Sequence, residues 1–419
     1  MMRSRGTPEA SAAPPGGQPA AEPSAARHAR PAGERTRLPR HAAGRRLLAW
    51  AAIALTVVAL FVAYLMVSRT YPENSDEANI LLMASDMLHG NVLLHGWYLS
   101  DVSFYTTELP QYALLERLIG LHSDTAHVAA AMTYTLVVLV AALLARGATR
   151  PGAWPRTLLT VAIMVAPQLG VGVFVLLLSV GHIGTAVPLM LTWLVIDCAG
   201  PPGGSGGKGF SPGSEGSRGV VPPGVHSPQA SSRPWGGRRA GWASALVFLL
   251  LTWVLVADPL VLVIGIIPLI AVCAVRVIGA VIAARRSDRR SPGWLGASLR
   301  ARQYEVFLAA AAILAYGAAS LVNRLLRASG SFLLHPVGYK LAPLRTWLHH
   351  ARVTGQGLLA LFGAKPQGPA IEMAFALVHL AGVALVAWAI CRVARRFLSW
   401  PDLVSQILLA AMVVNVLVY

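Results

Sequence analysis

Acidic side chains are scarce in this chain. It carries 18 Asp and Glu against 35 Lys and Arg in 419 residues. Charged residues of both signs make up only 13% and hydrophobic ones 55%, with a mean hydropathy of +0.57. A soluble domain needs more polar surface than that, and several runs of about 20 apolar residues point to an integral membrane protein. Cysteine is scarce too. Cys198, Cys273 and Cys391 lie far apart in sequence near the ends of apolar runs. That spacing excludes a disulfide framework and a zinc site, and leaves them as small apolar filler. No small-x-small cleavage site follows Val67, so the first apolar run reads as an uncleaved anchor.

The apolar stretches predict about nine transmembrane helices, at 47–67, 126–145, 157–180, 183–199, 241–257, 260–283, 304–326, 371–391 and 403–419. The fold class is all-α, a polytopic membrane protein. Pro167 is expected to kink the third span, and the last runs to Tyr419 without a polar tail. Residues 1–46 are rich in Pro, Ala, Gly and Arg with almost no large apolar side chain, and are expected to be a disordered basic tail. Residues 200–240 form a low-complexity Gly, Pro and Ser linker. Its GGSGGKGF stretch fails as a phosphate-binding loop, because Pro202 and Gly209 stand where Gly and Ser or Thr are required.

Charge placement sets the expected orientation. With the N-terminus cytoplasmic, the inside loops 1–46, 146–156, 200–240, 284–303 and 392–402 carry 26 of the 35 basic residues, as loops retained inside do. The same placement, beside apolar runs as in Arg45-Arg46 and Arg285-Arg286, argues against a nucleic-acid partner. The expected location is the cell membrane, with residues 47–419 as the membrane domain.

The few acids are concentrated. Eight of the 18 fall in the loop 68–125: Glu73, Asp76, Glu77, Asp86, Asp101, Glu108, Glu116 and Asp124. Inside it, Ile80, Leu81, Ala84, Met87 and Leu88 recur at helical spacing and predict a surface helix over 76–89. Asn74 is placed to cap it, with Glu77 three residues on completing a capping box. The helix is expected to lie along the membrane surface, with Asp76 and Glu77 at the water–lipid boundary. Acids in a first turn also simply favour the helix dipole.

Three stretches carry a resemblance: SDEANILLMASDMLHGN (75–91), GWYLSDVSFYTTELPQYALL (96–115) and Gly120, which closes the loop. An Asp-Glu pair just after the first span, a surface helix ending in Gly, then an aromatic stretch and a Pro resemble the membrane glycosyltransferases of superfamily C. That superfamily includes the protein O-mannosyltransferases and the aminoarabinose transferases of lipid A. The sequence departs from the commonest pattern, with ELPQY where many relatives have a Pro-Pro pair, and with fewer spans than many members. The resemblance implies transfer of a sugar from a polyprenyl-phosphate carrier to a cell-envelope acceptor outside the cytoplasm. It assigns Asp76 as the general base. Glu77 would orient or assist it, or help to hold a divalent cation.

Such chemistry also needs positive charge for the phosphate leaving group. The loop 327–370 is the expected source, and the candidate donor-binding residues there are His335, Lys340 and Arg345. A bland alternative is that the basic loop pairs with the acidic one or contacts lipid head groups. Two short turns face the same side. VGHIGT offers His182, alternatively a polar turn residue, and VADPL offers Asp258, alternatively a helix cap. A non-catalytic membrane protein of the same ancestry and a transporter are the competing functional readings. The transporter reading is weakened because internal repeats and mid-span charges are few.

Overall fold

The computed structural model describes residues 40–100, 102–147, 153–166, 177, 182–200, 237–287, 293–335, 343–364, 370–395, 397 and 402–418. The chain divides into two compact units, 1–54 and 55–419. The described part of the first is helical. Most of the expected basic tail, most of the 200–240 linker and Pro167 lie outside the described residues. Within the tail and linker, residues 40–46 and 237–240 are helical.

Among the described residues the architecture is all-α with one small two-stranded pairing. The helices are α1 (Arg40–Ser68), α2 (Ser75–Leu88), α3 (Glu108–Ile119), α4 (Asp124–Arg146), α5 (Ala153–Val165), α6 (Ile183–Ala199) and α7 (Gly237–Ala257). A π-helical turn, Leu262–Ile266, leads into α8 (Ile267–Ser287). Then come α9 (Trp294–Ala301), α10 (Gln303–Ala328), α11 (Trp347–Leu361), α12 (Ala370–Arg395) and α13 (Leu403–Val418). Strands β1 (Tyr98–Leu99) and β2 (Leu333–Leu334) pair in parallel.

Six helices are long and apolar enough to cross a membrane: Gly44–Ser68, Asp124–Arg146, Arg239–Ala257, Leu262–Arg286, Gln303–Ala328 and Ala370–Arg395. At 1.5 Å per residue even the shortest, of 19 residues, approaches the roughly 30 Å of a bilayer core. This is the pattern of a multi-pass membrane protein. Ala153–Val165, Ile183–Ala199 and Leu403–Asn415 are shorter apolar helices.

The main core lies between α6, α7, α8 and α10. On α10, Leu308, Ala311, Ala312, Ala315 and Ala319 are buried, and they recur every three or four residues on one face. Small side chains there let α10 approach α7 closely, the packing device of helices in lipid, where apolar area alone gives little association. On α7 the matching face is Ala240, Ala243, Val247, Leu251 and Val254. Tyr64 of α1 and Tyr134 of α4 meet edge to face at 4.7 Å in a smaller cluster.

The predicted surface helix forms as α2, with the capping box at Asn74 present. Its apolar stripe is not laid on lipid. Ile80, Leu81 and Ala84, joined by Met83, pack against Leu94, Phe104, Leu109 and Tyr112 in a core of the loop's own. The 58-residue loop supplies a second helix, α3, and enough aromatic area to cover the stripe with protein. Leu88, at the end of the stripe, remains 41% exposed.

Candidate functional site

The Asp76–Glu77 pair is split by its place in the first turn of α2. The Asn74 side-chain oxygen accepts the N–H groups of Asp76 and Glu77, each at 2.9 Å. The Glu77 carboxylate reaches back to accept the Asn74 N–H at 3.3 Å, and is buried. Glu77 thus closes a reciprocal cap. Asp76 points away from that cap and is exposed. Among the described residues no group of three or more His, Cys, Asp or Glu is placed to hold a metal ion.

The chain leaving α2 is folded back by Asp86. Its carboxylate accepts from the Trp97 indole at 2.8 Å and from Asn91 at 2.6 Å. Those bonds, Trp97's first, hold the carboxyl below the usual Asp range. The turn presents residues 93–99 to the segment after α10. Phe332 N–H donates to Leu93 O, His335 N–H to Leu99 O, and the His95 ring bonds Gly330 O at 2.6 Å. The Tyr98 hydroxyl and the His335 ring nitrogen Nδ1 are 3.0 Å apart. The acidic loop and the start of the basic one are therefore one hydrogen-bonded layer. His335 lies in it; Arg345 is exposed on the 3-10 turn Leu344–Thr346; Lys340 lies outside the described residues.

A second feature is buried where α3, α6 and α7 meet. The C-terminal carbonyl of α7, Ala257 O, accepts from the N–H groups of Ser103 and Phe104, both at 3.2 Å. The Thr106 hydroxyl donates to Trp253 O at 2.7 Å, and the Trp253 indole donates back to Thr106 O. These bonds strap residues 103–107 to the end of α7 and deliver Glu108 to the start of α6. Asp258, fully buried, accepts from the His182 ring at 2.8 Å, from the Thr185 hydroxyl at 3.1 Å and from Leu260 N–H at 2.9 Å. A carboxylate only accepts, so His182 Nδ1 is the protonated nitrogen while Asp258 is ionised. Asp258 thus caps the turn after α7, as its alternative reading expects, and also holds the His182 ring. His182 itself sits at φ +63 and Phe104 at φ +50, left-handed conformations that cost energy in a non-glycine residue. Their rings are 5.7 Å apart.

Glu108 completes this cluster. Its side chain is 1% exposed. One carboxyl oxygen accepts from the Thr107 hydroxyl, while Oε1 has no partner. The group lies so close to Gly184 that a Cβ there would overlap it. Burial pushes the Glu108 carboxyl up to about 7. The Thr107 bond opposes the shift, the nearby Asp258 adds to it, and His182 opposes it. Glu108 is therefore a carboxylic acid able to hold or release a proton near neutral pH.

The structure brings His182 and Asp258 into contact and joins His335 to the acidic loop. Asp76 has no bond to any of them among the described residues. Glu108 and Thr185 carried no sequence signal as site residues. Glu108 stood in TTELP, where attention goes to the proline, and only the fold buries it beside Asp258. No family model, curated protein or solved structure matches the chain.

Proposed function

We propose that the protein is a membrane glycosyltransferase of the superfamily C type. It takes a sugar from a polyprenyl-phosphate carrier and passes it to an extracytoplasmic cell-envelope acceptor. The observation that carries the reading is the layer formed by residues 93–99 and 330–335, which joins the acidic loop to the basic one. The acidic loop is also bonded through Ser103 and Phe104 to Ala257 at the C-terminal end of α7 and packs on Ala126 and Ala129 near the start of α4, ends that basic-residue placement assigns to the outside. Eight of the nine apolar helices fall on stretches read as spans; Ala153–Val165 overlaps only the first part of 157–180, most of whose remainder lies outside the described residues. The proposed topology is nine spans in the cell membrane with a cytoplasmic N-terminus.

In the proposed reaction the acceptor hydroxyl oxygen attacks the anomeric carbon of the donor. Its proton passes to the exposed Asp76 carboxylate as the new C–O bond forms. The bond from the anomeric carbon to the phosphate oxygen breaks, and the polyprenyl phosphate leaves with the electron pair. Developing charge on that phosphate is offset by His335, Lys340 and Arg345 of the basic loop. His182, held by Asp258, and the proton-bearing Glu108 form the polar floor of the same end of the molecule and serve substrate positioning. The test is transfer by the reconstituted chain from a panel of polyprenyl-phosphate sugars to membrane acceptors. Turnover of any one donor supports the reading, and an inert, correctly folded chain favours a non-catalytic relative.

A further inference from the structure

Helix α11 follows the basic loop's 3-10 turn and has no buried residue. At 3.6 residues per turn Trp347, Ala351, Leu358 and Leu348 share one side. His349 and Gln356 take the opposite side, with Arg352 and His350 at the two rims. The apolar side is open: Leu348 is 85% exposed, Leu344 just before the helix 77%, and Trp347 49%. Both ends of the segment are fastened to the helical body. His335 is bonded to Leu99 before it. After it, Ala364 is buried and Gly363 lies against the His379 ring of α12.

We propose that α11 docks on the head-group layer of an anionic bilayer, its apolar side inserted among the acyl chains and its cations at the phosphates. The inference rests on the chain being a membrane protein and not on the transferase reading. An apolar arc with Trp347 on it, Arg352 at one rim and Arg345 just before the helix is the pattern of a helix lying in the interface plane. The charge is one-sided. Between Arg327 and Glu372 the sequence has Arg345, Arg352, Lys340 and Lys365 and three histidines, and no acid. A second copy is the wrong partner, since a two-fold contact through this face would bring Arg and His rims together without a compensating carboxylate. Tethering to α10 and α12, both membrane-length helices, keeps the segment within reach of the lipid surface.

The test uses the full chain in lipid nanodiscs, with the exposed Cys198 and Cys391 replaced by Ser. Leu348→Cys and His349→Cys are each labelled with an environment-sensitive fluorophore. Brominated lipids are expected to quench the label at 348 and leave that at 349 open to aqueous iodide. Hydrogen exchange over 347–361 is expected to be slower in anionic than in zwitterionic discs. The difference should fall roughly tenfold when Arg345→Gln and Arg352→Gln are combined, from the loss of two phosphate-level cations. Equal iodide access at 348 and 349 in anionic discs would overturn the proposal. So would copy-to-copy cross-linking through Leu348→Cys, or exchange that ignores lipid charge.

Discussion

Two clusters of charge centred on buried carboxyl groups sit at the two ends of α6, and they are built differently. Beyond its C-terminal end, Glu305 of α10 receives Arg276 and Arg302, both at 3.0 Å. Arg276 also donates to Gln406 of α13 at 2.9 Å, and Gln406 bonds Phe397 O. Tyr304, next to Glu305, donates to Ile196 O at 3.0 Å. Each charge there is ion-paired at 3.0 Å, the two arginines sharing the one carboxylate. At the N-terminal end, Glu108 and Asp258 share a single His182, and Glu108 keeps an oxygen without a partner. The first arrangement fastens helices. The second leaves a buried carboxyl group with one unbonded oxygen, and strained backbone at His182 and Phe104 is maintained around it. A buried polar group without full compensation is costly, so its retention marks the end where function is expected.

Substitutions can break that contrast. The largest effect is expected at the Glu305 cluster. Glu305→Ala strands Arg276 inside the helical body, and loss of one partner of a buried pair costs about 3–5 kcal/mol. Unfolding monitored in detergent should show it at all pH values near neutrality.

Glu108→Gln should act in the opposite direction. The native carboxyl titrates near 7 in the folded protein against an ordinary value of 4.5, so the folded state holds its proton more tightly than the unfolded state. Native stability is unaffected by this group below pH 4.5, falls as pH rises to about 7, and is lower by about 3 kcal/mol beyond it. The Gln variant should lack that slope and be more stable than the native chain at pH 8–9. Matching slopes in the two proteins would mean that Glu108 is solvated or paired.

Gly184→Ala should cost about 1–3 kcal/mol by overpacking against the Glu108 carboxyl. A double variant with Glu108→Ala should recover much of that loss, which a double-mutant cycle measures. Asn74→Ala touches neither cluster. It removes the cap of α2 and should cost about 1 kcal/mol, with no change in the pH slope.

The helical framework was legible because each buried element announces itself by an uninterrupted apolar run or by a periodic stripe. The 183–199 stretch matches α6 residue for residue, and α2 begins one residue from its expected start. Three helices were not foreseen. The α3 pattern is interrupted by Glu108, Gln111 and Glu116, α9 is only eight residues long, and α11 mixes His, Arg and Gly with its leucines. The partner of α2 was also misjudged, since an apolar stripe reads the same whether lipid or protein covers it. His182 and Asp258 could be nominated from their turns, but not their contact, which spans 76 positions. Glu108 was illegible because nothing local distinguishes a buried acid from an exposed one at a helix start.

The central claim rests on Asp76, and one substitution addresses it directly. Asparagine preserves the shape at the start of α2, where the lost dipole interaction is worth about 0.3–1 kcal/mol. A general base contributes roughly a hundred- to ten-thousand-fold in rate. Transfer from a polyprenyl-phosphate sugar should be measured with the native chain and with Asp76→Asn at equal amounts in the membrane. The account predicts intact insertion with transfer reduced by at least about a hundredfold. Native-level transfer by Asp76→Asn would contradict it and leave the residue as a helix start alone.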